Sequence, residues 1–175
     1  IAVLGVEINN IEKILEDNKD NLKVQIANDN SVGQIVLSGK IQDLEKLSDI
    51  LKDKKIKNIK LPVSAPFHCN LMNKATKVMY EELNKLNFKK GSNVLISNVT
   101  ADEISNEDEL KTLLIKQIEN RVRWRESVLN MINKDIKQFI EIGPGKVLSG
   151  LIKRINKEVK VITINNEEDI NNIKI

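Results

Sequence analysis

Apolar residues recur along this chain with two different periods, and the changes between them lay out its elements. The opening run Ile1-Ala2-Val3-Leu4-Gly5-Val6 predicts a strand over 1–6. Ile11, Ile14 and Leu15 then fall at i, i+3 and i+4, the spacing of one helix face, with Asn9 or Asn10 as the cap. Two strand-like runs follow, 22–28 and 34–38, joined by Asp29-Asn30-Ser31-Val32-Gly33, whose residue types favour a turn. That predicts a hairpin. After Gly39, Ile41, Leu44, Leu47 and Leu51 stripe one face of a second helix, and 56–63 supplies a fourth strand.

Past Pro66 the pattern turns to longer helices separated by short strands. Leu71, Met72, Ala75, Val78, Met79, Leu83 and Leu86 stripe one helix face, with the methionines read as core filler. A strand is predicted over 94–96, and a helix starts at Asn106 with Glu107 and Asp108 at its positive end. Residues 121–131 read as helical or irregular, 138–142 as a strand, 147–155 as a helix and 159–164 as a final strand. The chain is thus expected to be α/β, with a ferredoxin-like βαββαβ unit over 1–63. Strand–helix alternation over 64–175 predicts part of a parallel α/β layer. No internal repeat, linker or low-complexity tract interrupts it.

Composition narrows the picture only modestly. Of 175 residues, 41% are hydrophobic and 30% charged, enough to build a core and too apolar for a disordered chain. A formal charge of +3 does not argue for nucleic acid, and the run Gln34-Ile35-Val36-Leu37 offers no aromatic on which an RNA base could stack. No apolar stretch approaches the ~20 residues of a membrane span. The single cysteine fits a reducing compartment, either cytoplasm or the stroma of a plastid or other organelle. The chain opens on Ile1 within a strand-like run, so a preceding segment is expected.

The only histidine, His68, stands where the strand-like run Val63-Ser64-Ala65-Pro66 passes toward a helix. That position suits a general base at a cleft, provided a second group accepts the proton of its other ring nitrogen. No serine lies in a G-x-S-x-G elbow, so a nucleophile for this base must come from outside these residues. Metal ligation lacks a second histidine, and adjacent Cys69 diverges from His68 on a helix, which leaves it a small buried apolar residue. The run Glu141-Ile142-Gly143-Pro144-Gly145-Lys146 lacks P-loop spacing and reads as a tight strand-to-helix turn whose backbone N–H groups could meet an anion. Arg121, Arg123 and Arg125 around Trp124 read as a solvated face or as a dock for an acidic partner. Gln117 falls on the stripe of Leu110, Leu113 and Leu114, which places it near a helix end or an interior contact.

Three blocks, 28–39, 63–72 and 141–154, together resemble the malonyl-CoA:acyl carrier protein transacylase family. The resemblance covers essentially the whole chain. It implies a small ferredoxin-like subdomain over 1–63, followed over 64–175 by the C-terminal part of a large α/β-hydrolase-like subdomain. The family's nucleophilic serine, its carboxylate-gripping arginine and its oxyanion glutamine have no counterpart here. By resemblance His68 is the general base, Gln117 supplies the main-chain carbonyl that fixes its tautomer, and Asn28 and Asn30 line the acyl cleft. Phe67, just before the base, fits the malonyl-selective pattern. Val32 and Arg121 stand where the family has proline. Malonyl-CoA and the phosphopantetheine thiol of an acyl carrier protein are the implied substrates in fatty acid synthesis, with no metal or resident cofactor and no nucleic acid or membrane partner. A non-catalytic carrier-docking scaffold is the alternative.

Overall fold

The first four strands join into one antiparallel sheet, one face of which carries the core residues Val3, Ile35 and Leu37. In the computed structural model, which describes residues 1–89 and 91–172, β1 (Ala2–Leu4), β2 (Val24–Ser31), β3 (Gln34–Gly39) and β4 (Lys57–Ile59) lie in the order β2-β3-β1-β4. Helices α1 (Ile8–Asp17) and α2 (Ile41–Asp53) complete a βαββαβ unit. Val3, Ile11, Ile14, Leu22, Ile35, Leu37, Leu47 and Leu51 form its buried core, so both helices cover the same face of the sheet. The strands at either end of the unit are shorter than the apolar runs suggest. The first helix begins at Ile8 with Glu7 in the capping position and no side-chain cap, so Asn9 and Asn10 lie inside its first turn and do not cap it.

The predicted five-residue turn 29–33 is mostly strand. β2 continues to Ser31, leaving Val32 and Gly33 as the reversal. Gly33 has φ +70°, and its carbonyl accepts from the Gly5 N–H at 2.8 Å, a conformation and approach that suit a residue without Cβ. The β2–β3 register shifts twice, between Ile26 and Asn28 and between Asp29 and Ser31. These bulges accommodate the polar run at the strand's end. Asp29 pairs with Ile35, a core residue, whereas Asn28 pairs with Val36, which alternates with the core positions. The pleat therefore turns Asn28 and Gln25 toward the face without helices.

An ion pair fixes this bulged end. Asp29 is only 1% exposed, and both its carboxylate oxygens face Arg125, whose Nε lies 3.0 and 3.2 Å and Nη2 2.9 Å away. Beside it, the Val122 N–H donates to the Ala27 carbonyl at 2.8 Å, and the Asp29 N–H donates to the Val122 carbonyl at 2.9 Å. The hydrogen bond to Asp29 raises the Arg125 pKa against an opposing desolvation, so the guanidinium stays charged. Arg121 reaches Glu12 at 3.0 Å and Glu126 at 3.7 Å, and Arg123 pairs with Glu126. The three arginines thus meet acids of this same chain.

The rest of the first compact unit, Ile1–Ser127, is helical and irregular. A 3-10 turn at Asn70–Met72 leads into α3 (Asn73–Asn84), which packs against α4 (Glu107–Lys116). The α4 start matches its prediction: the Asn106 side chain accepts from the Glu109 N–H at 2.9 Å, and Glu109 accepts from the Ser105 N–H at 2.7 Å. The expected apolar burial of α3 is not found. None of its residues is fully buried, and Val78, Met79 and Tyr80 are exposed, so Met79 is not core filler. Nor does 94–96 form a strand. Ile96 makes a single bridge to Glu103, because the chain reverses tightly over 97–102 with Ala101 at φ +60°. Helix α5 spans Trp124–Asn133.

The second unit, Val128–Ile175, is a strand–helix–strand motif. β5 (Gln138–Ile142) pairs in parallel with β6 (Lys160–Ile164), from Gln138 opposite Lys160 to Ile142 opposite Ile164. α6 (Val147–Ile155) makes the crossover and α7 (Glu167–Asn172) follows β6. Among the described residues, no helix is long and apolar enough to cross a membrane.

Two stability measurements check this account. Leu47 is fully buried, so Leu47→Ala is expected to cost about 3 kcal/mol in urea unfolding, whereas Val78→Ala on exposed α3 changes stability by less than about 0.5 kcal/mol. Arg125→Met leaves the Asp29 carboxylate buried and unpaired, at a cost of about 3 kcal/mol. Adding Asp29→Asn removes that charge and is expected to recover part of the loss. Simple additivity of the two substitutions would contradict a paired buried charge.

Candidate active site

His68 is presented by a turn whose neighbours leave it little freedom. Pro66 restricts the chain before it, and Cys69 anchors the chain after it, only 1% exposed with its Sγ donating to the Pro66 carbonyl at 3.2 Å. Between them His68 takes φ +57°, a left-handed conformation that costs a non-glycine residue roughly 1–2 kcal/mol. Strain of this kind persists where surrounding contacts dictate it. The sequence places His68 at a helix start, but it precedes the helical turn, which opens at Asn70. Gln25, on the helix-free side of the sheet, accepts from the Asn70 N–H at 2.8 Å and ties the turn to β2.

Gln117 stands at the C-cap of α4, where carbonyls lack intrahelical donors. The Ile115 and Lys116 carbonyls are met locally by the Ile118, Glu119 and Asn120 N–H groups and by the Asn120 side chain. The Gln117 carbonyl is met by His68, whose Nδ1 lies 2.7 Å away. A carbonyl oxygen can only accept, so the proton of a neutral ring sits on Nδ1 and Nε2 keeps its lone pair. The arrangement can take a proton at Nε2 and return it.

The other predicted residues occupy different places around this pair. Asn28 bridges to Val122, five residues beyond Gln117, so its link to the pair runs through the backbone. Asn30 lies within the second bulge of β2, half-buried, nearer the Val32–Gly33 reversal. Phe67 precedes His68 in the same turn and is 49% exposed. Sequence reasoning missed Asn98, Asp29, Arg125 and Gln25 as organisers of the region. Asn98 donates from Nδ2 to the Gln117 side-chain oxygen at 3.2 Å, and its own carbonyl accepts from the Arg123 N–H at 2.8 Å. Its run Ser97-Asn98-Val99-Thr100 carries turn chemistry, and nothing in that pattern marks a partner 19 residues away.

The glycine turn after β5 turns its amides inward. Glu141 accepts from the Leu148 N–H at 3.0 Å and the Ser149 N–H at 2.8 Å, so the start of α6 is met by a carboxylate of its own motif. Desolvation pushes the Glu141 carboxyl up, but the hydrogen bonds from Ser149 and Leu148 outweigh it and hold it below its ordinary value of 4.5. The Gly145 N–H is taken by the Asn165 side chain at 2.6 Å. The plain reading of a strand-to-helix connection is the one these contacts favour. Among the described residues, no three His, Cys, Asp or Glu side chains cluster as metal ligands.

No family model matches the chain. A malonyl CoA-acyl carrier protein transacylase from Bacillus subtilis is 38% identical over 171 residues, covering 97% of this chain and 54% of that protein. The crystal structure of a malonyl CoA-acyl carrier protein transacylase from Clostridium perfringens superposes with a TM-score of 0.92 at 38% identity, over 97% of this chain and 54% of its own. A malonyl-transacylase solved in complex with its type II PKS acyl-carrier protein superposes with a TM-score of 0.90 at 29% identity, over 97% of this chain and 55% of its own. The chain spans about half the length of the relatives it matches. Over that half, the chain is similar in sequence and in structure to malonyl CoA-acyl carrier protein transacylases.

Proposed function

We propose that this chain supplies the histidine half of a malonyl transfer site, with malonyl-CoA as donor and the phosphopantetheine thiol of an acyl carrier protein as acceptor in fatty acid synthesis. The observation that carries the reading is the 2.7 Å contact of His68 Nδ1 with the Gln117 carbonyl, which leaves Nε2 as a base. The relatives' names supply the substrate, and the complex with a carrier protein supplies the class of partner. On this reading the βαββαβ unit is the small ferredoxin-like subdomain, 1–63, and 64–175 is the C-terminal part of a large α/β-hydrolase-like subdomain. That boundary marks a change in the pattern of elements, whereas contact density divides the chain after Ser127.

His68 Nε2 takes the proton of a serine hydroxyl as its oxygen attacks the malonyl thioester carbon. The carbon–sulfur bond breaks, and the imidazolium returns the proton to the coenzyme A thiolate. The carrier thiol then gives its proton to His68, its sulfur attacks the acyl-serine ester, and the serine oxygen leaves with the proton restored. Gln117 holds the ring throughout, and no metal or redox group is called for. Asn28 and Asn30 line the acyl side of the cleft. Phe67 opposes a branch at the α-carbon, a discrimination of ~1–3 kcal/mol for one methylene.

Without a serine in a nucleophile elbow, the 175-residue chain is expected to retain no covalent label from radiolabelled malonyl-CoA. Stoichiometric labelling of a serine within these residues would overturn the division of roles. When the chain is joined to a serine-bearing segment matching the remainder of the relatives' length, label is expected to form and to pass to carrier protein. In that joined polypeptide His68→Ala is expected to lower kcat/KM by roughly 10²–10⁴-fold with folding retained. Phe67→Ser is expected to leave malonyl transfer largely intact and to improve methylmalonyl transfer by at most about 10²-fold. Near-unaltered transfer by folded His68→Ala would defeat the base assignment.

A further inference from the structure

The Gln117 carbonyl serves His68 only while the end of α4 stays in place, and the helix itself does not guarantee that. Its last turn closes on short local bonds, Ile118 to Ile115 and Glu119 to Lys116, both at 3.2 Å, and helix ends fray. Asn98 is placed to prevent this. It stands on a tight reversal in which buried Ser97 accepts at Oγ from the Val99 N–H at 3.1 Å and the Thr100 N–H at 3.4 Å. The Ser97 N–H reaches the Asp102 carbonyl at 2.9 Å, and the Ala101 N–H reaches the Ser97 carbonyl at 2.9 Å. From that ledge the Asn98 side chain holds the Gln117 carboxamide at 3.2 Å, while its main-chain carbonyl holds the Arg123 N–H at 2.8 Å. One residue thus grips Gln117 and the segment whose next neighbour, Val122, is laddered to Asn28.

We propose that Asn98 is a positioning residue, acting through the Gln117 side chain to aim the Gln117 carbonyl and so to keep His68 in its Nδ1–H tautomer. The proposal deepens the reading of His68 as a base and rests on it for its catalytic meaning, but its test does not. Histidine in water favours the Nε2–H tautomer, so the protein must supply the reversal. An acceptor displaced from Nδ1 surrenders it.

His68 is the chain's single histidine, so 15N-histidine labelling reports one ring and needs no assignment. In the 175-residue chain at a pH where the ring is neutral, the unaltered protein is expected to show Nδ1 protonated and Nε2 bare. Asn98→Ala is expected to lower the ratio of Nδ1–H to Nε2–H tautomers by about threefold or more, the size of one net hydrogen bond. Asn98→Asp should restore the ratio, because the Gln117 carboxamide can turn over and donate to a carboxylate. Gln117→Ala keeps the carbonyl but loses the grip, so it should show the same loss. Combining it with Asn98→Ala should add nothing. An unchanged ratio in folded Asn98→Ala, or additive losses in the pair, would overturn the proposal. If Asn98→Ala does not fold, an unchanged ratio in Gln117→Ala overturns it equally. A shifted tautomer together with undiminished acyl transfer by His68→Ala in the joined polypeptide would sink the base assignment and leave the positioning role standing.

Discussion

The contact between the His68 ring and the Gln117 carbonyl joins two residues 49 positions apart, and much of the surrounding architecture serves to maintain it. A ring nitrogen 2.7 Å from a carbonyl is held by a single weak restraint, worth about 1 kcal/mol net in an ordinary setting. It can define a tautomer only if both sides are independently immobilised. On one side the left-handed turn is clamped by Pro66 and buried Cys69 and tied to β2 by Gln25. On the other, α4 starts at the Asn106 cap, with Glu109 reaching back to the Ser105 N–H, and ends on Gln117, whose side chain is gripped by Asn98.

The sheet contributes through its irregular end. The regular part of β2 packs on the core, whereas its two bulges put the polar run Asn28-Asp29-Asn30 where Asp29 turns toward Arg125 and Asn28 toward the open face. A buried carboxylate is costly unless paired, so the Arg125 contact is a condition for this strand end to exist. The same pair secures Val122, which links Asn28 back toward Gln117.

Most of the framework was legible in the sequence because it obeys local rules. The βαββαβ order followed from apolar periodicity, the start of α4 from Asn106 with its acids, and the 138–164 strand–helix–strand motif from its alternation. Errors occurred where tertiary contacts override local preference. Asp29-Asn30-Ser31 has turn composition yet forms strand, since Arg125 and Val122 supply what a turn would otherwise satisfy. The 94–96 run is apolar yet pairs only once, and the α3 stripe is helical without being buried. His68 could be singled out as the chain's one histidine, two residues after a proline, but its union with Gln117 came from the family resemblance. Asn98 had no such signal. A carboxamide that orients a second carboxamide leaves no spacing rule in the chain.

The site depends on a proton lying between His68 and Gln117. The most direct measurement is the scalar coupling across that hydrogen bond, from His68 Nδ1 to the Gln117 carbonyl carbon, in the unaltered protein labelled with 15N and 13C. A resolved coupling, with no hydrogen attached to Nε2 in the neutral ring, is the predicted result. Absence of the coupling together with a protonated Nε2 would contradict it.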